Sequence, residues 1–312
     1  MDYPLESIFV ETNGIRLHVM QAGPADGTVL LLLHGFPEFW YSWKRQIPFF
    51  AEKGYRVWAP DLRGYNKSDK PRGIRAYRMN HLTADVVGLI EATGAKKVIL
   101  VGHDWGGFLA WHVAEQYPHL VEKLIICNVP LMPVMQRNLR RNPLQMMRSS
   151  YILFFQLPWI PEWSARVSDW KLLVGVMRGS SREGTFTDGD FERYREAWSQ
   201  PGAYPSMLNW YRAFVQLKRK KSASERIKPP VLLLWGKQDA FLGANMAEES
   251  IVLCDEGRLV YFENATHWIQ HEEAERVNEL IFEFLGKGEK DEGVIGVGLG
   301  DGAVIGAHDQ LQ

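Results

Sequence analysis

The segment Lys97-Val98-Ile99-Leu100-Val101-Gly102-His103-Asp104-Trp105-Gly106-Gly107 constrains this chain more than any other stretch of it. Its unbroken apolar run reads as a strand buried on both faces, the glycines after it as a tight turn, and the pattern from Trp105 to Tyr117 as a helix. A strand that passes through a sharp small-residue turn straight into a helix belongs to a parallel sheet, because the helix carries the chain back over one face to begin the next strand. The turn also lifts one side chain, that of Asp104, above the sheet edge, where it can attack a bound molecule. A carboxylate is ionised at neutral pH without assistance, and it attacks an alkyl carbon well because the product is an ordinary ester. It is a poor choice for cleaving esters or amides. The competing reading is structural: Asp is a good helix N-cap, and Asp104 directly precedes a helix.

Short β-rich runs recur at 7–11, 16–21, 28–33, 55–59, 97–101, 123–127, 231–235 and 258–262. Helical patterns at 40–53, 81–93 and 105–117 supply crossovers between them. The expected architecture is α/β, a mostly parallel eight-stranded sheet with helices on both faces, its first two runs forming an antiparallel hairpin at one edge. Between Pro130 and Pro229 no buried-strand run appears, and amphipathic stretches rich in Met, Trp, Tyr and Arg take over. That stretch, 131–228, reads as an inserted α-helical cap on a core made of 1–130 and 229–286. The basic run Lys218-Arg219-Lys220-Lys221 within it reads as a solvated helix end. From 287 to 312 the text is Gly-rich with few large side chains, and it is expected to be a disordered tail. With 312 residues, 46% of them hydrophobic, the chain can fill one large core plus that insertion.

Several function classes fall away on charge and composition. A formal net charge of -1 supplies no overall basic field to hold nucleic acid or anionic lipid. Met1 to Val10 carries Asp2 and Glu6 and does not read as a signal peptide, and apolar strands such as 29–33 are too short to span a bilayer. Cys127 and Cys254 have no metal-ligand neighbours at a useful spacing and read as buried or idle thiols of a cytoplasmic protein. Neither a metal nor a cofactor is expected, and a monomer and a homodimer are equally consistent with the sequence.

In an open α/β sheet, ligands bind beyond the carboxyl ends of the strands. Four segments should converge there: His34-Gly35-Phe36-Pro37-Glu38, the turn at Asp104, Gly236-Lys237-Gln238-Asp239-Ala240, and Glu263-Asn264-Ala265-Thr266-His267-Trp268. The order nucleophile, acid, histidine suits Asp104, Asp239 and His267. His267 can take a proton from water if its other ring nitrogen is held by an acceptor, and Asp239 is the natural one. Each has a duller alternative, Asp239 as a turn residue or helix cap and His267 as a cap of the last helix. His34 and His103 read as structural.

These motifs, with Trp235-Gly236-Lys237-Gln238-Asp239-Ala240-Phe241 and Thr266-His267-Trp268, resemble those of the epoxide hydrolases of the α/β-hydrolase fold, and the resemblance covers nearly the whole chain except the tail. It implies that Asp104 opens an epoxide to an alkyl ester, which water activated by His267 and Asp239 then hydrolyses to a vicinal diol. It further implies an oxyanion hole from the backbone N–H groups of Phe36 and Trp105, and two cap tyrosines on the epoxide oxygen. Tyr211, in Asn209-Trp210-Tyr211-Arg212, matches one, and Tyr151 stands where the other should be. Phe36, Trp105, Phe154, Phe155, Phe241, Leu242 and Trp268 are candidate pocket walls, with Met146, Met147 and Trp159 as further apolar candidates, all suiting a small lipophilic epoxide. Haloalkane dehalogenases are similar in the aspartate, histidine and Trp after the nucleophile, but commonly carry Asn where this chain has Phe36; fluoroacetate dehalogenases carry Arg in place of Trp105. A non-catalytic ligand-binding protein on the same fold would be expected to have a broken triad.

Overall fold

The computed structural model describes residues 3–216 and 226–286, together with the backbone of 305–306. Within it β1 (Glu6–Thr12), β2 (Ile15–Ala22), β3 (Thr28–Leu33), β4 (Tyr55–Pro60), β5 (Val98–His103), β6 (Val121–Cys127), β7 (Val231–Gly236), β8 (Gly257–Phe262) and β9 (Ile305–Gly306) form one sheet. Their order is β1-β2-β4-β3-β5-β6-β7-β8-β9. Every pairing from β4 through β8 is parallel, whereas β1 with β2, β2 with β4 and β8 with β9 are antiparallel. The eight strands read from sequence are all there, with the hairpin at the edge. The ninth is a two-residue pairing from inside the Gly-rich segment, whose remainder lies outside the described residues, as does the basic run at 218–221.

Alternation along the central strands explains why their sequences are continuously apolar. Leu31 and Leu33 enter one core beside α2 (Met79–Thr93) and α3 (Trp105–Gln116), while Leu30 and Leu32 enter the other, beside α1 (Gln46–Glu52) and the last helix. Both faces are thus dry, and side chains of either parity must be hydrophobic. The helix expected over 40–53 is broken into a 3₁₀ turn, Trp40–Trp43, and α1. Pro48 accounts for the break: deep in a continuous helix it would lose its backbone bond and clash with the carbonyl of Lys44, whereas in the first turn of α1 it is tolerated.

Between β6 and β7 the chain is helical: α4 (Met132–Arg141), α5 (Pro143–Arg148), α6 (Tyr151–Gln156), α7 (Ile160–Val167), α8 (Lys171–Gly179), α9 (Asp188–Ser199) and α10 (Ala203–Val215). Then α11 (Asn245–Ile251), α12 (Ile269–Glu272) and α13 (Ala274–Phe284) complete the core. The inserted cap is tied down at the carboxyl edge of the sheet. Trp210 Nε1 donates to the Arg63 carbonyl at 3.0 Å, and the Tyr194 hydroxyl donates to Glu38 at 2.8 Å.

At the end of β3 the packing is backbone on backbone. A Cβ added at Gly106 would lie 2.2 Å from the Leu33 carbonyl oxygen, so α3 sits against the end of β3 at a distance only glycine allows. Gly106→Ala is therefore expected to lower the unfolding free energy by about 1–3 kcal/mol, the usual cost of overpacking. Denaturant titration should show an earlier midpoint at an unchanged m-value, and an unshifted midpoint would show that the contact relaxes without cost.

Candidate active site

Asp104 ends the turn between β5 and α3 with φ 50° and ψ -120°, a left-handed conformation that costs a non-glycine residue about 1–3 kcal/mol. Its main-chain carbonyl starts the helix by accepting from Phe108 N–H at 2.9 Å, but its side chain makes no capping bond. The carboxylate is instead turned toward the end of β3, where Oδ1 accepts from the Phe36 N–H at 2.8 Å. Gly35 makes room for this, since a Cβ there would lie 2.5 Å from the Cβ of Asp104. Trp105 is the first residue of α3, so its N–H is among those left without an acceptor inside the helix.

His267 faces the other oxygen. Its Nε2 is 3.6 Å from Asp104 Oδ2, an ion-pair distance, and its Nδ1 is 2.7 Å from Asp239 Oδ2. Asp239 Oδ1 accepts from the N–H groups of Phe241 and Leu242 at 2.7 and 2.9 Å, so the turn after β7 also serves to fix this carboxylate. A further donor was not foreseen from sequence: Asn128, at the end of β6 with φ 50°, donates Nδ2 to Asp239 Oδ2 at 2.8 Å. The same side chain accepts from Gly236 N–H at 3.0 Å, which locks the ends of β6 and β7 together. An Asn immediately after a buried strand at the carboxyl edge of the sheet was the available signal.

Burial works against charge on both partners, and mutual attraction overcomes it. For Asp239, the His267 charge and the surrounding donors hold the carboxyl below its usual range despite desolvation. For His267, burial alone would lower the value, but the charge of Asp239 and the contacts with Asp104 raise it to about 10. The resting site thus carries an imidazolium between two carboxylates.

Behind the imidazole lies a second buried polar cluster. His103 Nε2 is 2.8 Å from the His267 carbonyl, and Glu38 meets His271 Nε2 at 2.7 Å, Gln270 Nε2 at 3.1 Å and His103 Nδ1 at 3.2 Å. Glu38 is held well below the ordinary carboxylate range: these histidines outweigh its burial. His103, read as structural, supports the main chain that carries His267.

Opposite Asp104 the cap contributes two phenols. Tyr151 on α6 and Tyr211 on α10 stand with ring centroids 5.9 Å apart, and Tyr211 lies 5.0 Å from Trp105 and 5.1 Å from Phe36. Burial first, and the charge of Asp104 with it, push both phenols above their usual value, so they remain O–H donors. Phe155 closes on Tyr211 at 5.0 Å, and Phe241 bridges Tyr151 at 5.9 Å and His267 at 5.2 Å. Leu242 is buried beside Asp239, and Trp268 packs edge-on to His267 at 5.1 Å with its Nε1 donating to Ser180. Four candidate walls are turned to the exposed side, although the Phe154 ring still meets Phe155 at 6.0 Å. Phe154 is 40% exposed, Met147 66% and Trp159 81%, with Met146 also exposed. Residue 154 is one step from Phe155 and so about 100° around the helix, which turns it outward. Among the described residues no group of three or more His, Cys, Asp or Glu is placed to hold a metal ion, and no helix is long and apolar enough to cross a membrane.

A strand-end Asp facing a His–Asp pair across the carboxyl edge of a parallel sheet defines an α/β hydrolase. Residues 28–274 match the family described as the alpha/beta hydrolase fold. The AB hydrolase superfamily protein YfhM of Bacillus subtilis is 49% identical over 89% of this chain and 96% of its own length. Human Epoxide hydrolase 4 is 40% identical over 88% of this chain and 77% of its own. The crystal structure of Bacillus megaterium epoxide hydrolase in complex with an inhibitor superposes with a TM-score of 0.81 at 31% identity, covering 89% of this chain and all of that one. The chain belongs to the α/β-hydrolase-fold family and groups there with the epoxide hydrolases.

The charge arrangement has a measurable sign. Because His267 is raised from 6.5 to about 10 on folding, its contribution to stability is complete below the unfolded value and is lost as the pH climbs through about 10. Asp239→Asn removes the leading cause of that rise. The variant's His267 should titrate closer to neutrality, as followed by ring ¹⁵N shifts, and a titration left near 10 would separate Asp239 from the pair.

Proposed function

We propose that the chain hydrolyses a lipophilic epoxide to a vicinal diol through an alkyl ester on Asp104. The observation that carries this reading is the division of labour between the two oxygens of Asp104: Oδ1 rests on the Phe36 N–H at 2.8 Å while Oδ2 lies 3.6 Å from His267 Nε2. Oδ2 attacks a ring carbon, the C–O bond on that carbon breaks, and the departing oxygen receives hydrogen bonds from Tyr151 and Tyr211. Placing the donors on the cap and the nucleophile on the sheet supports attack from the face opposite the leaving oxygen.

Esterification removes the charge of Asp104, and with it part of what keeps His267 protonated. The proton that His267 then gives up balances the one the ring-opened alkoxide gains, leaving a neutral imidazole held by Asp239. This imidazole takes a proton from water, whose oxygen adds to the ester carbonyl. Charge collects on Oδ1 at the Phe36 N–H, with the Trp105 N–H as the second donor. Collapse breaks the carbonyl carbon–alkyl oxygen bond, the alkoxide takes the remaining proton of the added water, and the diol departs. Asp104 is again a carboxylate and His267 again an imidazolium. The buried thiols Cys127 and Cys254, which form no disulfide, fit the cytoplasmic setting expected from sequence.

The two half-reactions separate cleanly by substitution. With His267→Gln, intact-mass spectrometry should show the protein heavier by the mass of the added epoxide, on the peptide containing Asp104, and Asp104→Ala should show no adduct. A single turnover of the wild type in ¹⁸O water should label that peptide, and label found only in the diol would sink the ester route. Release of halide from a haloalkane, with no diol formed from any epoxide, would point to a dehalogenase instead.

The tyrosines act before the ester exists. Tyr151→Phe and Tyr211→Phe should each slow ester formation by about 10²-fold, in the range for loss of one preorganised donor. Hydrolysis of an ester already formed should be little changed, and rapid-quench kinetics in which only the second step slows would remove the tyrosines from this role.

A further inference from the structure

We propose that the outer surface of α5–α8 docks on an anionic lipid bilayer. Of the sixteen large hydrophobic residues left exposed among the described residues, twelve fall between 144 and 176, on these four helices and the links between them. On α7 they form a helical stripe of Ile160, Trp163 and Val167, with Trp163 65% exposed, while Pro161 and Ala165 are buried on the other side. On α8 the exposed pair Leu172 and Val176 is spaced by one turn, and Val174 and Met177 are buried. Leu153 on α6 is 70% exposed. A helix packed on a globular core normally turns polar residues to water. Here consecutive helices turn apolar residues both ways, so their outer sides call for a second apolar environment.

Charge identifies that environment. Residues 131–182 hold eight Lys and Arg against two Asp and Glu, in a chain whose formal net charge is -1. Arg140, Arg141, Arg166 and Lys171 are exposed and Arg148 half-buried, and among the described residues none of the five has an ion-pair partner. Apolar side chains that include Trp, with unpaired cations on the same helices and on the adjoining α4, suit the boundary between acyl chains and acidic headgroups. A second copy of the chain fits worse, because a two-fold contact would set this basic surface against itself. Lying on the bilayer rather than crossing it agrees with the absence of a long apolar helix among the described residues.

Position gives the docking a consequence. The short helix α6 carries Leu153 outward and Tyr151 inward beside Tyr211, so the docked surface is the back of the wall that faces Asp104. A lipophilic epoxide dissolved in the bilayer would then meet the cap without crossing bulk water. That last step rests on the proposed function; the docking does not.

Vesicle co-flotation tests the docking without any substrate. The wild type should float with phosphatidylcholine vesicles containing about one third phosphatidylglycerol, at least about tenfold more than with phosphatidylcholine alone, and raised salt should release it. Trp163→Ser with Leu172→Ser, and separately Arg140→Gln with Arg166→Gln and Lys171→Gln, should each lose most of the bound fraction. Both sets should keep wild-type turnover of a water-soluble epoxide in vesicle-free buffer, which shows that they fold. Equal binding to neutral and anionic vesicles, or none to either, would overturn the proposal while leaving the proposed function in place. So would a dimer in analytical ultracentrifugation that the Trp163→Ser, Leu172→Ser variant dissociates, since that makes a second copy the occupant. Vesicle binding without turnover of any epoxide would remove the proposed function and keep the docking.

Discussion

Two backbone approaches at the carboxyl edge of the sheet hold the rest of the molecule in its working arrangement. Gly106 lets α3 close on the end of β3, and Gly35 lets the turn after β3 close on the side chain of Asp104. Together they bring the Phe36 N–H within 2.8 Å of a carboxylate that the strained turn at φ 50° has already lifted clear of the helix. Hydrophobic burial on both faces of the sheet sustains that strain, because α3 and β3 cannot separate without exposing residues of the main core.

Charge is arranged with the same economy of motion. Three ionised groups lie in a nearly dry site, a situation that would be costly if any one stood alone. Asp239 is satisfied by His267, Asn128 and two main-chain N–H groups, so it has no reason to move. Asp104 has one such N–H bond and a looser 3.6 Å contact with His267, which leaves it the carboxylate that can change its bonding. The contrast between a fully saturated acid and a partly saturated one fits the orienting and reacting roles proposed for Asp239 and Asp104. In the proposed reaction, esterifying the second removes its charge and lowers the affinity of the imidazole for its proton, so that one covalent event would switch His267 from acid to base.

How much of this was legible follows from what each residue depends on. The central strands could be read because burial on both faces leaves only one composition open to them, and the places of Asp104, Asp239 and His267 because they lie one, three and five residues past the ends of β5, β7 and β8. Asn128 escaped because its role depends on the parallel pairing of β6 with β7, which sets Cys127 beside Leu234 and so brings the two strand ends together. Pro48 was the sequence signal for the break in the helix over 40–53, because a proline deep in any helix meets the carbonyl four residues back. Trp105, Phe155 and Phe241 were distinguished by the structure from Phe154, Met147 and Trp159, which have the same chemistry and opposite orientation. Apolar spacing on a short cap helix states that a side is hydrophobic without stating which neighbour it meets.

That ambiguity has a physical origin in the cap itself. A helix of six residues such as α6 has too few positions to devote one side to a core and another to water while also supplying Tyr151 and Phe155 to a site. Its helical state is held by packing rather than by its own length, chiefly through α10, which carries Tyr211 and whose Arg212 donates to the carbonyls of Phe155 and Leu157 at 2.9 and 3.0 Å. The end of α6 and one of the two phenols facing Asp104 are therefore fixed by the same helix. Any contact that shifts the outer side of α6 must work against α10, so the hydroxyl of Tyr151 can be held in register with that of Tyr211 while Leu153 and Phe154 meet something else.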